Sequence, residues 1–178
     1  MALLKAAFTV LTSALLLVQS PRASEYQVKA VFLFDFSQFV EWPAVATPDS
    51  QLPVIIGILG EDPLGTFLDE TVRGERLGLR PFEIRRYREL TDIRACNILF
   101  ISRSESERVG EILAALGKRP ILTVSDGDDF AKRGGMIQFV NDKNRIRLSI
   151  NLEAAQAANV TISSKLLRVA EIVRTPRP

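Results

Sequence analysis

Catalysis needs a nucleophile, a proton carrier or a metal cage, and this sequence is poor in all three. It contains no histidine and one cysteine in 178 residues. Ser–His and Cys–His activation and any His-ligated metal are therefore excluded. It has no GxSxG elbow, Walker loop or Cys pair. Cys96 stands alone in an apolar run and reads as a packed thiol. Gly57, Gly60 and Gly65 follow GxxGxxxxG rather than GxGxxG spacing. Glu61-Asp62 also occupies the place where a pyrophosphate needs free N–H groups, so these glycines mark a structural turn. A phosphoacceptor site would need an Asp after the third strand, where the chain has Ile101-Ser102-Arg103. Asp126, Asp128 and Asp129 could attract a hard cation, but no further ligands follow at matching spacing. Asp126 or Asp128 is expected instead to cap a short helix over 128–132. Ser163-Ser164-Lys165 reads as a helix N-cap rather than an anion grip. No catalytic, cofactor or metal residue is assigned.

Binding is better provided for. Seven Arg fall between Arg73 and Arg94, against Glu75, Glu83, Glu89 and Asp92. They suit a solvated strand and helix, a partner-facing patch or an acidic ligand. The segment Glu25–Pro43 carries Phe32, Phe34, Phe36, Phe39 and Trp42, more aromatic surface than one helical face needs. A partner-binding patch is therefore expected with Phe34 and Trp42 at its centre and Arg85, Arg86 and Arg88 at its rim.

The elements that must position these residues follow from periodicity. Val28, Val31, Phe32, Phe36, Phe39 and Val40 recur at spacings of three and four, predicting an amphipathic helix with Lys29 on its polar side and Pro43 as its stop. Val54–Leu59 reads as a central parallel strand, followed by a helix buried through Leu64, Phe67, Leu68 and Val72. A strand over 79–85, nearer an edge because of Pro81, precedes a buried strand at 96–101. Ser104 is expected to cap a helix at 105–116 that ends at Gly117. A strand at 120–124 leads to an antiparallel hairpin, 136–140 with 145–150, around a four-residue loop. Helices at 152–158 and from Ser163 or Ser164 to Val173 finish the chain. The predicted fold is α/β: a mostly parallel, Rossmann-like sheet flanked by helices, with a C-terminal antiparallel hairpin and two terminal helices.

Lys5 followed by the apolar run Ala6–Val18 forms a secretory leader, predicted as residues 1–23 with cleavage after Ala23; residues 24–178 make one domain. The run is short for a membrane span of about 20 residues. The formal charge of +2 comes from Lys5 and Arg22, leaving 21 basic and 21 acidic residues from Ser24 onward. That balance gives no reason to expect nucleic acid as a partner.

Two segments together resemble the YfiR family. One is Val28-Lys29-Ala30-Val31-Phe32 through Phe39-Val40-Glu41-Trp42-Pro43. The other is Gly134-Gly135-Met136-Ile137 through Arg145-Ile146-Arg147, with Ile150-Asn151-Leu152 and Ile162-Ser163-Ser164-Lys165-Leu166-Leu167 beyond it. Ile58–Pro63 and Cys96–Ile101 lie between them in order. The resemblance implies a periplasmic, non-enzymatic α/β protein, commonly dimeric, that binds and inhibits the periplasmic part of a membrane diguanylate cyclase and so controls cyclic-di-GMP and biofilm growth. Similar proteins often carry a Cys where this chain has Gly57, the natural partner of Cys96, so redox control through that pair is not expected. The alternative is a periplasmic small-molecule sensor serving a histidine kinase or transporter, which leaves room for a small ligand.

Overall fold

The computed structural model describes residues 21–43, 51–143 and 145–176. Helix α1 (Pro21–Phe39) opens it, followed by a two-residue strand β1 (Val40–Glu41). Then come β2 (Val54–Leu59), α2 (Gly65–Val72), β3 (Arg76–Leu77), β4 (Arg80–Tyr87), β5 (Ile98–Ile101), α3 (Val109–Leu116) and β6 (Leu122–Ser125). The chain closes with β7 (Ile137–Asp142), β8 (Arg145–Asn151), α4 (Leu152–Ala157), β9 (Thr161–Ile162), α5 (Ser164–Leu167) and β10 (Glu171–Val173). Eight strands form one sheet in the order β10-β8-β7-β6-β5-β2-β4-β3. Neighbours from β4 through β7 run parallel, whereas β7 and β8 form the predicted antiparallel hairpin. The mixed α/β architecture with a mostly parallel sheet is as the sequence implies.

All six residues of β2 are buried because helices cover both faces of the sheet. Ile56, Ile58, Ile98, Phe100, Leu122 and Val124 point to α1 and α2, where Leu33, Phe36, Leu64 and Leu68 meet them. Leu59, Leu99 and Ile101 point the other way, to Val109, Ile112 and Leu116 of α3. Phe36 stacks on Phe139 of β7 with ring centroids 5.9 Å apart, tying α1 to the hairpin.

Several boundaries differ from expectation. Pro43 does not stop α1. The helix ends at Phe39 because Val160–Ser163 offers a better backbone partner: Val40 and Glu41 pair with Ile162 and Thr161, and Ser163 N donates to Phe39 O at 2.8 Å. The buried face of α1 is also rotated. It runs through Lys29, Ala30, Leu33, Phe36 and Ser37, while Val28 and Val31 are exposed. Residues 128–132 form turns rather than a helix, so neither Asp126 nor Asp128 caps one. Ser102, not Ser104, caps the helical segment after β5, which starts as a 3₁₀ helix over Arg103–Arg108. Asn141 and Asp142 extend β7, shortening the predicted loop to a tight turn at Lys143 (φ 50°). The last predicted helix is one turn, α5. The β-branched Ile172 and Val173 instead pair in parallel with Ile150 and Asn151, making β10 an edge strand.

Candidate functional site

Parallel β2, β5 and β6 bring their carboxyl ends together, and strand order reverses at β2, which has β4 on one side and β5 on the other. Such switch points are where α/β sheets commonly place ligands. Here the junction after β2 is occupied by its own side chains. Gly60 sits at φ 89°, and a Cβ there would meet Ser104 Oγ at 2.5 Å. Ser104 Oγ accepts from Glu61 N at 3.0 Å. Asp62 Oδ1 accepts from Leu64 N and Gly65 N at 2.8 and 3.0 Å. The amides a pyrophosphate would need are already bonded to a carboxylate, so the glycine cluster is structural.

Beside this junction lies a cavity of ≈ 560 Å³ lined by α1, the loops after β5 and β6, and β7. At its base Lys29 Nζ is 2.7 Å from Asp126 Oδ2 and 2.6 Å from Glu25 Oε1. Lys29 and Asp126 expose only 3% and 4% of their side chains. Tyr26 donates its phenol proton to the same Asp126 oxygen at 3.1 Å, and the Lys29 ammonium lies 4.4 Å from the Tyr26 ring centroid. Burial, and then the negative charge of Asp126, push the Tyr26 phenol up to about 12. It therefore keeps its proton and acts as a donor. Arg103 and Asp128 pair above this cluster, at the exposed rim. The arrangement fixes α1 to the end of β6 with charge-assisted bonds. Lys29 is ion-paired and the Tyr26 phenol is hydrogen-bonded to Asp126, and among the described residues no group of three or more His, Cys, Asp or Glu could hold a metal ion. Sequence reasoning missed this site, because it placed Lys29 on the wet face and Asp126 at a helix cap. The readable signal was the i,i+4 pair Glu25–Lys29 inside an otherwise aromatic helix.

The five residues expected to bind a partner are distributed over different surfaces. Phe34 is half-buried on the α1 side, its ring 5.1 Å from Phe82 of β4. Arg86 lies on that same side and bonds Asp62 and Asp69, each at 2.7 Å. Arg85 points to the opposite face, paired with Glu83 at 2.7 Å. Arg88 is exposed just beyond β4. Trp42 follows β1 and donates from Nε1 to Asn97 O at 3.2 Å, near the amino end of β5. Phe34 and Arg86 share a face, and Trp42 packs against the same core as Phe34 from the amino end of β5; Arg85 does not join them.

Cys96 lies just before β5. Its thiol is 3.0 Å from Ile98 O. Burial pushes it up to about 12, against weaker opposing pulls from the Gly57 backbone, Arg119 and Arg85. A Cβ added at Gly57 would lie 2.9 Å from Cys96 Sγ but only 2.6 Å from Tyr87 Cε2. Position 57 thus faces the thiol across the strand pair, and the Tyr87 ring, from β4 on the other side of β2, crowds the same position.

The fold is a doubly covered α/β sheet whose polar clusters are held by ion pairs. The family model described as YfiR/HmsC-like matches residues 26–171, and the chain belongs to that family. It is a family of periplasmic regulators rather than enzymes. No curated protein matches the chain.

Proposed function

We propose that this protein is exported through the leader over residues 1–23 and acts in the periplasm as a repressor. It binds the periplasmic part of a membrane diguanylate cyclase, holds that enzyme inactive, and thereby lowers cyclic-di-GMP and restrains biofilm formation. The observation that carries this reading is the family match across residues 26–171, which spans nearly the whole described domain. Its chemistry agrees: the buried Lys29–Asp126 pair holds α1 to the end of β6, which suits a rigid binding module.

A repressor must bind the inactive arrangement of its partner more tightly than the active one. Moving such an equilibrium from 1:99 to 99:1 takes about 5.5 kcal/mol of differential affinity. An apolar centre rimmed by guanidiniums can supply that. Phe34 and Arg86 on the α1 side are the nucleus of the proposed surface, with Arg85, Arg88 and Trp42 tested alongside. A homodimer would present two such surfaces to a membrane partner. The test is cyclic-di-GMP in cells lacking the protein and in cells with it restored. Deletion is expected to raise the signal and restoration to lower it; an unchanged level on deletion overturns the repressor reading.

A further inference from the structure

A second cavity, of ≈ 370 Å³, opens at the other end of the sheet, where β2, β5 and β6 begin. Its walls hold four arginines, Arg80, Arg85, Arg94 and Arg119, and no Asp or Glu. Its floor is apolar: Ile55 and Ile121 are buried, and Pro53, Pro120 and Cys96 adjoin them. Two of the guanidiniums are anchored on backbone carbonyls. Arg80 donates from Nε to Leu52 O at 2.8 Å and from Nη2 to Pro53 O at 3.0 Å. Arg119 donates from Nη2 to Ile93 O at 2.7 Å and to Arg94 O at 3.1 Å. Arg94 has no side-chain hydrogen bond or ion pair among the described residues.

Arg85 is already paired with Glu83 at 2.7 Å, but Arg80, Arg94 and Arg119 have no carboxylate partner among the described residues. Three like charges around one small cavity repel one another unless an anion sits among them. A guanidinium already oriented by a carbonyl keeps further N–H donors in a fixed fork, the geometry that recognises a carboxylate at little entropic cost. The apolar floor adds a second requirement, because an ion with no hydrocarbon body would leave it wet. We propose that this cavity binds a small organic anion, a carboxylate carried on an apolar body, with Arg94 and Arg119 gripping the carboxylate and Ile55 and Ile121 receiving the body. This site lies away from the Lys29–Asp126 cluster, and the proposal does not depend on the repressor reading.

The test is isothermal titration of the purified protein with octanoate and benzoate, with inorganic phosphate and octylamine as controls. The expected result is saturable binding of at least one carboxylate, weakened tenfold or more by Arg94→Glu. That variant removes no structural bond, and its thermal unfolding serves as the fold control. Arg119→Gln should weaken the same ligand. The bound carboxylate should also slow labelling of Cys96 in the native protein, which locates it in this cavity. Absence of saturable binding by both carboxylates overturns the proposal. So does undiminished binding by a folded Arg94→Glu, and so does equal binding of octylamine or of phosphate.

Discussion

Lys29 and Asp126 are 97 positions apart in the chain, yet the ammonium and carboxylate meet at 2.7 Å with both side chains almost wholly out of solvent. Asp126 has no other cationic partner at that oxygen among the described residues and would keep only the Tyr26 phenol, whereas Lys29 also holds Glu25 at 2.6 Å. Removing Lys29 strands the buried carboxylate, and breaking such a buried pair typically costs about 3–5 kcal/mol. Lys29→Ala is therefore expected to be strongly destabilising, whereas Lys29→Met with Asp126→Leu should recover most of the loss. Urea unfolding of the singles and the double measures this. Additive losses in the double variant would show that the two residues do not act as a pair.

The same pair shows what the sequence could and could not reveal. Strands β2, β5 and β6 were legible because each is a short apolar run bounded by turn residues, a signal that survives any tertiary context. The face of α1 was not. Val28 and Val31 fit the apolar period, but Lys29 and Ser37 are buried in their place, because a partner 97 residues away neutralises the lysine and the Phe34 carbonyl accepts from the Ser37 hydroxyl at 2.7 Å. The C-terminal segment failed for the complementary reason. Its helical period is real for one turn, after which the open edge of β8 captures Glu171–Val173. Burial and pairing that depend on distant partners leave at most a faint local trace, here the i,i+4 pair Glu25–Lys29.

Gly57 is held to glycine by contact rather than by dihedral strain. A methyl there would press on Tyr87 Cε2 at 2.6 Å, Cys96 Sγ at 2.9 Å and Leu99 Cδ1 at 3.1 Å. Overpacking of this kind costs about 1–3 kcal/mol, so Gly57→Ala should lower the unfolding midpoint accordingly. Gly57→Cys should stay reduced while Tyr87 is present and become oxidisable to a disulfide with Cys96 in the Tyr87→Ala background. Free-thiol counts under non-reducing conditions decide it. Ready oxidation of Gly57→Cys alone would show that Tyr87 yields more easily than its packing implies.

Cys96 and Tyr26 both make stability fall at high pH, as the buried Tyr87 phenol does too. Burial raises the Cys96 thiol from 9.0 to about 12 and the Tyr26 phenol from 10.0 to about 12. Both groups are neutral when protonated, so the unfolded chain loses these protons first and stability falls as pH climbs through that interval. It is fully retained below about pH 9. Native labelling of Cys96 should be slow at neutral pH and rise steeply only in the same range, and Cys96→Ser should cost on the order of 1 kcal/mol by placing a hydroxyl in an apolar site. Rapid labelling at neutral pH would contradict this account.

Arg85 and Arg86 are adjacent in β4 and so face opposite sides of the sheet, which makes them a means of finding the partner-facing side. Arg86 is 43% exposed and bound to Asp62 and Asp69, and Arg85 is 38% exposed and bound to Glu83. Pairs this exposed contribute about 0–1 kcal/mol to folding, so Arg85→Ala, Arg86→Ala and the Arg85/Arg86/Arg88 triple Ala variant should all remain folded. Phe34→Ala removes ring packing against Phe82 and needs a separate check of its unfolding midpoint. With the proposed surface centred on Phe34 and Arg86, the triple variant and Arg86→Ala should fail to lower cyclic-di-GMP in cells lacking the wild-type protein, while Arg85→Ala should restore repression more fully. The reverse order would move the contact to the α3 side of the sheet. Full restoration by the triple variant and by a folded Phe34→Ala would remove all of these side chains from the interface and leave Trp42, at the amino end of β5, as the aromatic to test next.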